Sequence, residues 1–261
     1  MEQPERRRTR ILLALAAVLA LGAAAPAEAA SLTVRQVIGL LRAGHPADLA
    51  GQDLSRLDLA ELDLSGANLA GANLFGADLT GANLAGADLD RAIIIRADFS
   101  GADLSGARMF LPAASTLLGE NPAAEAPRFR GTNLSGAHLL AHLGNADWTG
   151  ANLAGAHLEL GRTQFLAALR SDLGGCRMAG ANLEGADLSG VRLAFADLRG
   201  AKLARANLQG ADLSGARLDG ADLTGAALAR ADVHGASLRG VTGLDKATGL
   251  GSVRNLDLAE R

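Results

Sequence analysis

Apolar and polar positions recur along most of this chain with a period of five. Ala67-Asn68-Leu69-Ala70-Gly71 is followed by Ala72-Asn73-Leu74-Phe75-Gly76, Ala77-Asp78-Leu79-Thr80-Gly81 and Ala82-Asn83-Leu84-Ala85-Gly86, so the unit is Ala-(Asp/Asn)-Leu-x-Gly. It holds register over residues 47–111 for 13 slots and, with some degenerate slots, over 141–240 for another 20. A period of five matches neither the 3.6 of a helix nor the 2.0 of a strand. Inside each unit, though, Ala and Leu stand two apart and share one side while Asp or Asn faces the other, which is the alternation of a short extended segment. Gly at the end of the unit permits a turn. Short strand, corner, short strand is a coiled ribbon with Leu and Ala filling its axis, the stacked-repeat architecture that fixed short periods signal.

The interruptions mark the ends and the insertions. Residues 112–126 lose the period and carry Pro112 and Pro122, and a Pro inside a stacked ladder costs a hydrogen bond, so this segment is expected to be an inserted loop. Slots resume at Pro127, a one-residue slip follows near Leu140, and the degenerate stretch Gly161 to Arg170 reads as a second bulge or loop. Residues 30–46 are expected to cap the first coil: Thr33-Val34-Arg35-Gln36 forms a capping box between Leu32 and Val37, predicting a helix from Val34 to Ala43 that ends at Gly44. Its Val34, Val37, Ile38 and Leu41 share a face. Residues 47–240 form the repeat body. Residues 241–261 lose the five-residue period but keep Leu244, Leu250, Val253, Leu256 and Leu258, and are expected to be the opposite cap or a subunit contact.

These units resemble the pentapeptide repeat family, and the match covers most of the chain beyond its N-terminal segment. The resemblance implies an all-β solenoid, a right-handed quadrilateral β-helix with four repeats, or 20 residues, per coil. About nine such coils, at ~4.8 Å per stacked strand, make a rod on the order of 43 Å long. A 20-residue coil also stacks Arg177, Asp197 and Arg217 on one face and Asp172, Arg192 and Asp212 on the next, and such opposite charges are cross-strand pairs that a sheet favours.

The first 29 residues have the three parts of a secretory signal: Arg6, Arg7, Arg8 and Arg10, the apolar run Ile11 to Ala25, and the small-x-small site Ala27-Glu28-Ala29. Cleavage before Ala30 would place the mature chain in the periplasm or outside the cell, without stable membrane insertion. An uncleaved anchor is the competing reading, although 15 apolar residues fall short of the roughly 20 that span a bilayer. Cys176 is the single cysteine, so no intramolecular disulfide holds the fold, and it reads as a buried small residue in an Ala slot.

Composition narrows the chemistry. The formal charge is -3, aromatic residues are 3%, and basic residues are dispersed, so nucleic-acid binding finds no support. There is no nucleophile elbow, phosphate loop, dinucleotide fingerprint or Cys-x-x-Cys, and no catalytic, cofactor or metal residue is assigned. Three features stand out. His138 and His157 stack across the slip with His142 nearby, a pair that no third or fourth ligand joins by spacing. Asp58, Asp78 and Asp98 stack as an acidic ladder, in a region (30–111) with 10 acidic and 6 basic residues. Phe75, Ile93 and Ile95 put apolar side chains in outward slots, a candidate partner surface that the 112–126 loop, with Leu117 and Leu118, could instead cover.

The expected function is a non-catalytic binding or scaffold protein whose partner is a protein or envelope component, with a possible homodimer through a terminal cap. Two rivals remain open. Some members of the family it resembles mimic duplex DNA and protect DNA gyrase, a reading that the export signal and a charge far from strongly acidic oppose and that requires a cytoplasmic protein. A metal-dependent activity would have to be built on the His-bearing coils.

Overall fold

The computed structural model describes residues 32–44, 46–115, 122–158 and 170–260. The signal segment, Leu117, Leu118 and most of the degenerate stretch Gly161 to Arg170 lie outside the described residues. From Leu32 onward the chain forms one compact unit.

Each five-residue unit is a turn with its own chemistry. The N–H of the Ala position bonds the carbonyl of the preceding Leu, as Ala67 does to Leu64 at 3.0 Å, closing a four-residue turn around the x and Gly positions. That geometry needs positive φ at its third residue, and Gly66, Gly71 and Gly76 supply φ of 62 to 67°. The Asp or Asn side chain accepts from the backbone N–H two residues on, as Asn73 Oδ1 does from Phe75 at 3.1 Å. One side chain therefore fixes each corner, which is why Asp and Asn fill that slot.

Three further groups per unit bond to neighbouring coils: the Leu and Gly N–H groups reach up, and the Asp or Asn N–H reaches back, as in Leu49 to Asn68, Gly51 to Ala70 and Asn68 to Ala47. The Ala N–H takes no part in this ladder. Parallel bridges then link equivalent residues into four columns. The first face runs through Asp48, Asn68 and Asp88 and the second through Asp53, Asn73 and Ile93. The fourth runs through Asp63, Asn83 and Asp103. The third stacks Asp58, Asp78, Asp98, Arg128, Asp147, Arg177, Asp197, Arg217, Ser237 and Glu260, so it has ten layers where about nine were expected. Two positions assigned to regular strand, β1 (Arg108–Phe110) and β2 (His138–Leu140), pair in parallel within the first face.

The interior is filled. Leu and Ala line the axis at close to zero exposure, and behind the third face Phe99, Phe129 and Trp148 replace Leu in three successive layers. Their rings stack at 5.1 and 4.2 Å between centroids, with 5° and 14° between planes. Cys176 lies one layer on, fully buried, and its Sγ contacts the Leu143 carbonyl at 3.1 Å. Burial pushes its thiol up to about 12, so it is inert at neutral pH.

Helix α1 (Val34–Ala43) covers the open end. Thr33 Oγ1 accepts from Gln36 N while Gln36 Oε1 accepts from Thr33 N, the reciprocal capping box. Val37 and Leu41 are buried, Val34 and Ile38 are half-buried, and Leu32 N–H bonds Asp53 of the first coil.

Three boundaries differ from the sequence-based expectation. The first insertion is narrower than 112–126, because Ala113 still bridges Ile93 and Glu125 already accepts from Arg96. Asp98 pairs with Arg128, 30 residues on instead of 20. Pro112 and Pro127 are both buried within the ladder, since each occupies the slot whose N–H makes no inter-coil bond. Helix α2 (Pro122–Glu125) is the returning limb. The second break is an insertion of the same size, His142 pairing with Asp172 and His157 with Asp187, and between the two breaks the step shortens to 19 at Arg128–Asp147. Finally, the coil does not end at residue 240: Thr242, Thr248, Arg254 and Glu260 complete a last layer with six-residue sides. Short 3-10 turns at Leu244–Lys246, Leu250–Ser252 and Leu256–Leu258 absorb the extra residue at each corner.

Candidate functional site

The outward slots are largely spent on the fold itself. Asn83 donates to Asp63, Asn133 to Asp103, Asn152 to Asn133 and Asn182 to Asn152, an amide ladder running up the fourth face at 2.9 to 3.0 Å. Charged slots pair likewise: Arg192 with Asp172 at 2.8 Å, Arg128 with Asp98 at 2.8 Å and Arg177 with Asp147 at 3.3 Å. Arg177, Asp197 and Arg217 do stack on one face, but the Asp197 carboxylate is held from within its own layer by a two-pronged Arg199 guanidinium. The acidic ladder Asp58, Asp78 and Asp98 is present, and Arg128 terminates it.

These partners set the carboxylate ionisation. At Asp147 burial works to raise the pKa, but the Thr149 hydroxyl and N–H and the Arg177 guanidinium outweigh it and hold the group below its ordinary value. Asp98 is lowered in the same way against its burial, by Ser100 and Arg128. Asp197 is lowered chiefly by Arg199. A carboxylate lowered on folding contributes stability that is complete above its unfolded value, about 3.9, and is lost as pH falls through the folded value. Thermal melts should therefore show a plateau from neutral pH down to about 4 and a falling Tm below it, with the slope reduced by Asp197→Asn. A melting temperature that is flat to pH 3 would contradict this role.

His138 and His157 stack ring on ring, with centroids 4.8 Å apart and planes 14° apart. His142 lies on the adjacent face, bridged to Asp172. Among the described residues no group of three or more His, Cys, Asp or Glu side chains is arranged to hold a metal ion.

The apolar triple is less open than its slots imply. Ile95 is only 7% exposed, and α2 returns beside it, Glu125 accepting from Arg96 N at 2.8 Å. Phe75 and Ile93 are half-buried, and the Phe75 ring lies between the Arg56 and Arg96 guanidiniums, 5.7 and 5.8 Å from its centroid. The most exposed large apolar side chain among the described residues is instead Phe195, at 74%. It stands on the same edge of the coil, between the second and third faces, since Arg56 pairs with Phe75, Gly76 with Ile95 and, further along, Phe195 with Ser214. Phe195 occupies a Gly slot with φ of 60°, and its ring lies so close to Gly215 that a Cβ there would be 2.6 Å away. Sequence reasoning passed over it because one Phe among degenerate x and Gly positions gives no periodic signal.

The pentapeptide repeats model matches in 8 copies over residues 47–81, 72–109, 170–205 and 206–242. The chain is a pentapeptide repeat protein. Its fold is the right-handed quadrilateral β-helix of that family. Among solved structures, this pentapeptide repeat protein is similar to HetL, a pentapeptide repeat protein involved in heterocyst differentiation regulation from the cyanobacterium Nostoc sp. strain PCC 7120. The identity is 31%, the match covers 88% of this chain and 94% of HetL, and the TM-score is 0.35. A trypsin-treated form of QnrB1, a plasmid-mediated fluoroquinolone resistance protein, is 16% identical over 76% of this chain and 89% of its own, with a TM-score of 0.57. The second likeness shows the fold alone. No curated protein matches this pentapeptide repeat protein by sequence.

Proposed function

We propose that this pentapeptide repeat protein is a non-catalytic scaffold, exported from the cytoplasm, that recognises a protein or envelope partner along the edge carrying Phe75 and Phe195. Family membership supports the non-catalytic part, since pentapeptide repeat proteins are generally scaffolds or binders. The observation that carries the reading is Phe195. A non-glycine residue in the left-handed region costs of order 1–2 kcal/mol, a cost that Gly175, Gly215 and Gly235 avoid in the same column and that Arg56, Arg96 and Asn145 share, so it is the exposed aromatic ring that sets Phe195 apart. An aromatic ring kept there at 74% exposure is strain retained at a contact site, and exposed aromatics are favoured anchors of interfaces. Export is supported by the Arg-rich, apolar and small-x-small order of the first 29 residues. Among the described residues no helix is long and apolar enough to cross a membrane.

Phe195→Gly separates display from packing. Its stability should stay level or rise by up to about 1 kcal/mol, while a photo-crosslinker at residue 75 in living cells should yield a discrete adduct that is lost in the Phe195→Gly background. A stability loss above about 1 kcal/mol in Phe195→Gly would make the ring a packing residue. Cell fractionation with mass spectrometry of the N-terminus tests export: a chain beginning at Ala30 outside the cytoplasm is expected. An intact N-terminus in the cytoplasm would overturn it and make gyrase the first partner to assay.

A further inference from the structure

Along most columns an outward side chain is spent on its neighbour in the next layer, as Asn73 is on Asp53, Asn182 on Asn152 and Arg192 on Asp172. His138 and His157 depart from this. They are bridged across adjacent layers of the first face, with Arg108 on one side of them in the column and Asp187 on the other. Both are exposed. What joins them is ring on ring at 4.8 Å, and among the described residues neither imidazole has a hydrogen-bond or ion-pair partner. The charges around the pair are arranged so that they do not repel a cation. Arg108 is held by Asp90 at 2.6 Å and by Asp88 at 3.7 Å, and its guanidinium lies over the Phe110 ring. Asp187 accepts from Asn207 Nδ2 and from Ser189 N through the same oxygen, and its carboxylate stands one layer beyond His157. Glu184, at the corner before it, is paired with Arg205.

We propose that His138 and His157 form a two-histidine site for one borderline divalent transition-metal ion, copper(II) in preference to zinc(II), with water completing its coordination. Imidazole nitrogens suit these ions, and copper(II) stands above zinc(II) in the general order of affinities. Bonds of about 2.0–2.1 Å from two imidazoles to one ion set the nitrogens roughly 3 Å apart, whereas stacked strands are ~4.8 Å apart, so each ring tip has to lean inward by about 1 Å. Exposed rings do this by side-chain rotation, with no change in the ladder beneath them. Two protein ligands make an exchangeable surface site in place of the closed four-ligand kind. The ion would clip two layers together directly beside the second insertion, which leaves the coil between His157 on the first face and Asp172 on the second, and contacts between neighbouring layers are what hold a repeat stack. The site lies on a different face from the Phe75 and Phe195 edge and is independent of export.

The test is titration of the purified chain, carrying no histidine tag, with copper(II) followed by electron paramagnetic resonance and with zinc(II) followed by calorimetry. Copper(II) should saturate at one ion per chain with a nitrogen-coordinated signal, zinc(II) should bind more weakly, and each ion should raise the melting temperature of the wild-type chain. His138→Gln and His157→Gln, exposed changes whose metal-free melts should match the wild type, should each weaken binding about tenfold or more and remove that rise. His142→Gln, on the adjacent face, should change neither readout. Absence of a saturable site for either ion, binding that survives both His138→Gln and His157→Gln, or equal weakening by His142→Gln would overturn the site.

Discussion

Trp148→Ala is expected to be the most damaging single side-chain truncation in this protein, lowering its stability by about 3–5 kcal/mol. Trp148 is fully buried on the axis and stacks on Phe129, which stacks on Phe99. Removing the indole leaves a void that the coil closes poorly, because the backbone around it is held by bonds to the layers on both sides, Trp148 to Arg177 at 2.7 Å and Phe129 to Asp147 at 2.7 Å. For a domain of this length that loss corresponds to a melting temperature lower by roughly 6–20 °C. Trp148→Phe should cost far less. Among the described residues the indole Nε1–H has no oxygen or nitrogen partner and faces only the weakly accepting Cys176 sulfur, so a hydrocarbon ring of similar shape removes a poorly satisfied donor along with some packing. Thermal denaturation of the two variants, followed by circular dichroism, distinguishes the cases. If alanine cost less than about 1 kcal/mol, the aromatic stack would not be close-packed as described.

Gly243→Ala is expected to detach the last layer. Gly243 has φ of 68°, and a Cβ on it would lie 2.1 Å from Thr224 Oγ1, 2.5 Å from Thr224 Cα and 2.7 Å from Thr224 N. A side-chain oxygen can rotate away, but the Thr224 backbone is tied to Arg205 below it. Gly71→Ala is the control. Its φ is 67° and nothing lies within 4 Å of the added atom, so it pays only the left-handed strain, about 1–2 kcal/mol. The two substitutions thus share backbone strain and differ only in steric clash. Hydrogen exchange should show the amides of Thr242, Thr248, Arg254 and Glu260, which bond to Ala221, Ala226, Ala231 and Ala236, losing protection in Gly243→Ala. Layers near Leu74 and Leu104 should keep theirs, since repeat stacks open from their ends. Equal protection of the final layer in both variants would show that the six-residue sides tolerate a side chain at that corner.

The local rules of this fold are written in single units, so they were legible early. Alternation sets Leu and Ala inward, Asp or Asn closes its own corner through the N–H two residues on, and Gly takes the positive φ that the turn demands. The capping box at Thr33 and Gln36 is equally local, four residues satisfying their own helix end. The stacking of His138 on His157 also followed from counting, once the slip was allowed for. The proline argument located the insertion but drew its edges too wide, because composition alone does not say which N–H groups of a unit reach the next coil. Only the assembled ladder shows that the first slot donates locally, which admits Pro112 and Pro127.

What the sequence by itself determined is the conformation of each unit, membership of a repeat family and, through that resemblance, the four-sided coil. The tertiary structure decided which layers meet across the breaks, with steps of 30 and 19 residues, and so which side chains share a surface. Ile95 is covered, Phe195 is left open, and residues 241–260 become a layer in place of a tail. The physical reason is that backbone conformation and side-chain direction are set by neighbours within about five residues, whereas register across an insertion is set by ladder bonds between residues far apart in the chain.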